Sequence, residues 1–153
     1  MSRVRGRDTR PEILLRHGLH ATGLRFRLQA RDLPGRPDLV FPRHRAAVLV
    51  HGCFWHGHHC PMFKMPATRP EFWAAKIAGN RARDTRTRHA LLGDGWRVLT
   101  VWECALRGRG RRPLAEVIGV SRGFILGEDQ ELVLEGAWPS HHEALSRAAD
   151  LAT

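Results

Sequence analysis

The sequence predicts an α/β protein in which helices flank a mixed β-sheet. Short apolar segments with the character of strands alternate with longer segments of helical character, which is typical of a sheet covered by helices. Segment 46–51 (AAVLVH) is apolar almost throughout, as expected for a strand buried on both faces. A length of 153 residues suits one hydrophobic core, so we expect a single domain over residues 1–153.

The predicted elements follow the order helix, three strands, helix, strand, helix. The first helix should begin near Thr9, because Thr9 and Glu12 have the spacing of a capping box, and it should end at Gly18 or Gly23. A second, long helix is predicted over residues 70–92. Strands are predicted at 24–29, 38–41, 46–51 and 96–103, and a weak strand pair is expected at 124–126 and 131–134.

Positive charge dominates the chain, and arginine carries almost all of it. The formal net charge is +10, and Lys64 and Lys76 are the two lysines. Arginine grips two phosphate oxygens at once, and a basic surface gains affinity for DNA by releasing counterions. Nucleic acid is therefore a candidate partner, with a GC-rich genome as the alternative explanation. Residues 1–8 are expected to form a flexible basic arm.

The distribution of apolar residues indicates a cytoplasmic protein. No apolar run approaches the roughly 20 residues needed to span a bilayer. The first ten residues (MSRVRGRDTR) lack the apolar stretch of a secretory signal. Cysteines in such a chain favour metal binding over disulfides.

Segment 51–60 (HGCFWHGHHC) combines two thiols with four imidazoles, and a third cysteine follows a predicted strand. Zinc prefers four such ligands in a tetrahedron, and a ligand from far along the chain would pin the loop to the sheet. His56 and His59 compete for the imidazole position, and the alternative is a set of reduced thiols in a histidine-rich loop. The candidate structural zinc ligands are Cys53, His58, Cys60 and Cys104.

A second constellation consists of Asp38, His51 and His56. Asp38 opens one predicted strand and His51 ends the next, so the two strand ends can converge. A carboxylate near a phosphate suits magnesium, and a neighbouring histidine can take a proton from water near neutral pH. The alternative interpretation is that Asp38 is only a turn residue and that the two histidines have no catalytic role. Glu12 either holds the helix start or faces this site.

Several stretches resemble the very-short-patch-repair (Vsr) DNA mismatch endonucleases. They include LPGRPDLV (33–40), HGCFWHGHHC (51–60) and GWRVLTVWECALRG (95–108), and together with RDTRPE (7–12) and FKMPATRPEFWAAKI (63–77) they cover most of residues 3–110. The resemblance implies a restriction-endonuclease-like core and magnesium-dependent nicking of one DNA strand 5′ to the mispaired T of a T:G mismatch. It also implies a structural zinc ion and action on DNA. A monomer is expected because a single-strand nick needs only one active site, and other repair proteins are candidate further partners.

The resemblance also implies roles for individual residues. Asp38 and the backbone carbonyl of Val50 match the magnesium ligands, and His51, His56 and Glu12 match the remaining active-site residues. Cys53, His58, Cys60 and Cys104 match the zinc ligands. Phe54, Trp55 and Trp73 match aromatic side chains that wedge into the duplex beside the mismatch, although core packing is the alternative from sequence alone. Phosphate contacts from the long helix are expected at Lys76, Asn80 and Arg83.

Two stretches depart from the family. The N-terminal segment is short, so Ser2, Arg3 and Arg5 alone could reach the minor groove. Residues 113–153 match poorly, and their role stays open. A non-catalytic zinc-stabilised DNA-binding protein and an endonuclease of different specificity are the alternative functions.

Overall fold

The computed structural model describes residues 9–138. The predicted basic arm, residues 1–8 with Ser2, Arg3 and Arg5, and residues 139–153 of the tail lie outside the described residues. The helices are α1 (Arg10–Ala21), α2 (Pro70–Gly93) and α3 (Leu114–Leu126). The strands are β1 (Arg27–Leu28), β2 (Leu39–Phe41), β3 (Ala46–His51), β4 (Arg97–Trp102) and β5 (Glu131–Leu134).

The five strands form one mixed sheet in the order β1-β2-β3-β4-β5. The first three strands are antiparallel to one another, and β3, β4 and β5 run parallel. The α/β class and the mixed sheet are therefore confirmed. Because β3 and β4 are parallel and in register, His51 at the end of β3 lies opposite Trp102 at the end of β4.

The central strands are buried on both faces, as the continuous apolar run predicts. One face packs against α1 and α3, and its buried residues include Leu15, Leu39, Val48, Leu99 and Ile125. The opposite face packs against α2, and its buried residues are Ala47, Leu49, Leu91 and Val98. Alternate residues of β3 thus point to opposite layers, which directs the side chain of His51 to the α2 side.

Two local predictions are wrong. Residues 124–126 are the last turn of α3 and form no strand, because Val117, Phe124 and Ile125 recur at helical spacing and are buried together. The capping box is also absent: Thr9 is the N-cap without a side-chain hydrogen bond. Glu12 is 1% exposed and accepts a hydrogen bond from Gln29, so its carboxylate faces inward.

Element boundaries differ where exposure weakens the pattern. The strand predicted at 24–29 is reduced to two exposed residues of β1 at the sheet edge. The helix α1 continues through Gly18 and ends before Gly23, whose φ of +98° suits glycine. No helix within residues 9–138 is long and apolar enough to cross a membrane.

Candidate functional site

The carboxyl ends of β3 and β4 bring the chemically active residues together. The loop of residues 52–69 leaves β3, and Cys104 lies in a short 3-10 turn directly after β4. The N–H of Cys53 donates to Glu103 Oε1 at 3.1 Å, which ties this loop to the turn. The parallel pairing of β3 with β4 therefore joins residues that are some fifty positions apart in sequence.

Four sulfur and nitrogen donors converge beside this junction. Their ligand atoms all lie within 4.8 Å of one another, and they belong to Cys53, His58, Cys60 and Cys104. The Nδ1 atom of His58 is 3.6 Å from the sulfurs of both Cys53 and Cys104. The cysteines are free thiols, so they can serve as ligands. His59 is exposed, and His56 belongs to another cluster.

The protonation of the thiols fits a metal such as zinc, which binds the thiolate form. The hydrogen bond from Cys53 lowers the pKa of Cys104 to about 5, and His58 and the N–H of Gly136 act in the same direction against burial. The pKa of Cys53 is raised, mainly by its hydrogen bond with Cys104 and by burial. One sulfur of the cluster therefore loses its proton readily, and three sulfurs with one imidazole are a zinc donor set.

The imidazole of His58 has neighbours that sequence reasoning missed. Its Nε2 atom lies 2.9 Å from Glu135 Oε2, and its ring stacks on Trp102 at 4.0 Å. Burial lowers the pKa of His58, but hydrogen bonds with Cys104 and Glu135 outweigh burial and raise it. Glu135 lies 77 positions from His58, so no local motif points to it.

A second cluster contains His51, His56 and Asp84. The two imidazole rings stack with centroids 3.9 Å apart and an angle of 5° between their planes. Asp84 Oδ2 lies 2.6 Å from Nδ1 of His56, and Asp84 Oδ1 lies 4.0 Å from Nε2 of His51. Sequence reasoning missed Asp84; its signal is that it is the one acidic residue between Glu71 and Asp94 in an arginine-rich helix.

The interior position of His51 keeps its imidazole neutral. Burial, followed by the charge of His56, lowers the pKa of His51 to about 3, although Asp84 acts in the opposite direction. Its Nδ1 atom is buried and has no hydrogen-bond partner among the described residues.

The carboxylates of Asp38 and Glu12 form a third group. The N–H of Val50 donates to Asp38 Oδ2 at 2.7 Å. Gln29 Nε2 donates to Glu12 Oε1 at 2.6 Å and is 3.4 Å from Asp38 Oδ1. Burial and the adjacent Glu12 raise the pKa of Asp38 to about 8, although the Val50 bond opposes them. A hard cation would relieve the repulsion of these two oxygen-donor groups, so their chemistry fits magnesium.

The carboxylate and imidazole groups meet at consecutive residues of β3. Val50 binds Asp38 through its N–H, and the next residue, His51, stacks on His56. Asp38 and Glu12 do not belong to the His51–His56–Asp84 cluster itself. The structure therefore places the predicted catalytic residues around one strand end, in two adjacent groups.

Aromatic side chains cover the loop near this strand end. Trp73 on α2 lies 5.5 Å from Phe54 and 5.8 Å from Trp55, measured between ring centroids. All three rings are half-buried, and none belongs to either hydrophobic core cluster of residues 9–138. They are thus partly accessible and lie outside the described core.

The predicted phosphate contacts lie along α2. Lys76 and Arg83 are exposed, while Asn80 is half-buried. Asn80 Nδ2 donates to the carbonyl of Trp55 at 2.9 Å, and Arg83 Nη1 lies 3.4 Å from Asn80 Oδ1. Asn80 therefore holds the aromatic loop, and Lys76 and Arg83 have side chains accessible to a polyanion.

The chain is similar in sequence to several known proteins. A family model described as DNA mismatch endonuclease Vsr matches residues 1–62. The DNA mismatch endonuclease Vsr of Escherichia coli (strain K12) is 54% identical over 109 residues, which cover 71% of this chain and 70% of that protein. A protein of Xanthomonas oryzae pv. oryzae named type II nicking enzyme V.XorIIP is 52% identical over 110 residues, covering 72% and 81%.

A third relative, the type II nicking enzyme V.NmeAIP of Neisseria meningitidis serogroup A, is 36% identical over 109 residues, covering 71% of this chain and 78% of that protein. The site at the carboxyl ends of β3 and β4 and these relatives together define the class of protein. The chain is a DNA endonuclease. More particularly, the chain belongs to the Vsr family of DNA mismatch endonucleases.

Proposed function

We propose that this chain is a magnesium-dependent endonuclease that nicks one DNA strand 5′ to the mispaired T of a T:G mismatch, in very short patch repair. The observation that carries the proposal is the arrangement at the end of β3, where Val50 binds the Asp38 carboxylate and His51 stacks on His56. A carboxylate pair that can hold a metal ion and a proton acceptor at one strand end support metal-assisted phosphodiester hydrolysis.

Asp38 and the carbonyl of Val50 would hold magnesium, with Glu12 beside them. The ion would polarise the phosphodiester and stabilise the leaving oxygen. Gln29 keeps Glu12 and Asp38 together by hydrogen-bonding both, at 2.6 and 3.4 Å. The contribution of the chain here is to fix two carboxylates in a site where burial strengthens their attraction for a cation.

His56 is the proposed general base. Its Nδ1 atom is engaged by Asp84 at 2.6 Å, so Nε2 is the ring atom that takes the proton from the attacking water. The resulting imidazolium is stabilised by the Asp84 carboxylate at Nδ1. His51 packs flat against His56 and holds its ring in place.

Phe54, Trp55 and Trp73 are the proposed wedge for distorted DNA. Inserting a ring costs unstacking energy, and that cost is lowest where pairing is already poor. Their partly accessible cluster beside the arginine-rich α2 supports this role. Lys76 and Arg83 would contact phosphates and position the duplex, with Asn80 holding the loop behind the wedge.

Zinc is proposed for the Cys53, His58, Cys60 and Cys104 cluster, where it would close a structural site. We also propose a restriction-endonuclease-like core and one domain over residues 1–153. The basic arm at 1–8 and the poorly matched tail at 113–153 are included in that domain. A monomer suffices for a single-strand nick, and the proposed location is the cytoplasm, at the nucleoid when the enzyme acts on DNA with other repair proteins.

A cleavage assay tests the function. Strand-labelled duplexes that differ in one T:G or T:A pair are incubated with the protein in magnesium or in EDTA. We expect one nick, 5′ to the mispaired T, in the T:G duplex with magnesium, and none in EDTA. Asp38→Asn keeps the size of the side chain and removes its charge, so it should abolish cleavage but retain binding.

Two results would contradict the proposal. Mismatch binding without magnesium-dependent cleavage would indicate a non-catalytic zinc-stabilised DNA-binding protein. Equal cleavage of the T:A duplex would indicate an endonuclease with a different specificity. Asp94→Asn, at the exposed end of α2, is the matched control for the Asp38 variant and should cleave like the parent protein.

A further inference from the structure

We propose that Glu135 is a positioning residue for the zinc ligand His58, so that the segment after β5 completes the metal site. This inference rests on the zinc site proposed above. It gives a role to residues 135–138, which follow β5 and to which the sequence alone assigned none. Glu135 acts through His58 and is not itself placed among the donors.

The ring of His58 is held from three directions. Glu135 Oε2 lies 2.9 Å from Nε2, Trp102 stacks on one face at 4.0 Å, and Trp138 meets the ring edge-on at 5.5 Å. On the opposite side of the ring, Nδ1 is 3.6 Å from the sulfurs of Cys53 and Cys104. When Nε2 donates its proton to the carboxylate, the lone pair of Nδ1 is directed at the sulfurs.

The backbone around Glu135 is fixed against the same cluster. The N–H of Gly136 lies 3.4 Å from the sulfur of Cys104, and the N–H of Ala137 donates to the carbonyl of Gly110 at 2.7 Å. A Cβ atom at Gly136 would lie 2.5 Å from the carbonyl oxygen of Cys104, so this close approach requires glycine. The backbone of residues 135–137 is therefore constrained, and this constraint holds the side chain of Glu135 beside His58.

An isolated ion pair at this position would be a weak interaction. The side chain of Glu135 is 50% exposed, and exposed pairs contribute little because solvent screens them. A carboxylate that fixes the tautomer and orientation of a ligating histidine has a larger effect, since loss of such a partner typically lowers metal affinity about 10- to 100-fold. Removal of the Glu135 carboxylate should therefore be measurable as a lower affinity for zinc.

Zinc competition against a chromophoric chelator tests the role with the full chain. The parent protein should bind one zinc ion, and Glu135→Ala should bind it about 10-fold more weakly. Glu135→Gln should recover most of the affinity, because its amide oxygen accepts the same hydrogen bond. Glu128→Ala, an exposed glutamate before β5, is the matched control and should leave affinity unchanged.

A spectroscopic readout separates positioning from general stability. Long-range ¹H–¹⁵N spectra of the zinc-loaded parent and Glu135→Gln proteins should show His58 protonated at Nε2 and metal-shifted at Nδ1. A parent protein without zinc would overturn the zinc site itself. A zinc-binding parent with equal affinity in Glu135→Ala, or an equal loss in Glu135→Gln and Glu135→Ala, would overturn the positioning role alone.

Discussion

At the scale of single residues, burial and one or two neighbours set the protonation of Asp38 and His51. Asp38 has a raised pKa because it is buried beside Glu12, and His51 has a lowered pKa because it is buried beside His56. Asp84 faces both imidazoles and engages His56. The chemistry of the site therefore depends on contacts that single substitutions can remove.

Asp84→Asn is expected to slow catalysis with little effect on DNA binding. The amide cannot stabilise a positive charge at Nδ1 of His56, so kcat should fall by roughly 100-fold, within the range of general base effects. Single-turnover nicking of the T:G duplex measures the rate, and a binding titration measures affinity. Asp94→Asn should show neither change, and a full rate in Asp84→Asn would remove Asp84 from the mechanism.

His51 is expected to stay neutral throughout the range from pH 5 to pH 8. Its pKa of about 3 lies below the ordinary value of 6.5. Between these two pH values His51 is protonated in the unfolded chain and neutral in the folded protein. This difference in proton binding makes the free energy of unfolding fall as the pH drops below 6.5. The check is an NMR titration of the His51 ring, and a midpoint near 6.5 would contradict the buried geometry.

At the scale of elements, α1 and α3 pack closely against each other on one face of the sheet. Gly18 of α1 lies against Ile118 of α3, where an added Cβ would be 2.6 Å from Cγ1 of the isoleucine. Arg97 of β4 donates to the carbonyls of Phe124 and Ile125, which fixes the end of α3. One glycine contact and one guanidinium therefore add to the core packing that positions α3.

Gly18→Ala is expected to destabilise the protein although alanine is the better helix former. The gain in helix propensity is about 1 kcal/mol, whereas overpacking costs about 1 to 3 kcal/mol. Denaturant unfolding should show a net loss, partly recovered by adding Ile118→Val. Gly79→Ala, in α2 with open space around it, should instead be stabilising. A gain in both single variants would refute the tight α1–α3 contact.

At the scale of the whole molecule, the proposed zinc site joins three distant parts of the chain. Cys53 and His58 lie in the loop after β3, Cys104 follows β4, and Glu135 follows β5. Between β3 and α2 there are eighteen residues without a helix or strand, from 52 to 69. A metal that joins them would contribute directly to the folding free energy.

Cys104→Ala, or removal of zinc by a chelator, is expected to unfold or aggregate the protein. Each kcal/mol lost lowers Tm by roughly 2 to 4 °C for a chain of this size, so loss of a metal site that contributes several kcal/mol should lower Tm by about 10 °C or more. Thermal unfolding followed by circular dichroism measures the change. His59→Ala removes an exposed histidine of the same loop and should melt like the parent protein. If Cys104→Ala melted cooperatively at the same temperature as the parent protein, the proposal that a metal ion joins these three parts of the chain would be refuted.

The sequence by itself determined the strand core and the composition of the metal cluster. The apolar run of β3 is a local pattern, and the dense spacing of Cys53, His58 and Cys60 is visible without a fold. Local patterns failed at residues 124–126, where helical burial against α1 and the sheet outweighed strand-like composition. The strand β1 is shorter than predicted because an edge strand pairs on one side only, here with β2.

The tertiary structure alone decided which partners these residues have. Asp84 reaches His56 across 28 positions because α2 packs on the face of the sheet toward which His51 points. Glu135 reaches His58 across 77 positions because parallel pairing of β3, β4 and β5 brings their carboxyl ends together. It also placed Glu12, for which the sequence left a helix cap and the active site open, in the interior beside Asp38. Spacing along the chain encodes local geometry, whereas these contacts depend on packing between distant elements.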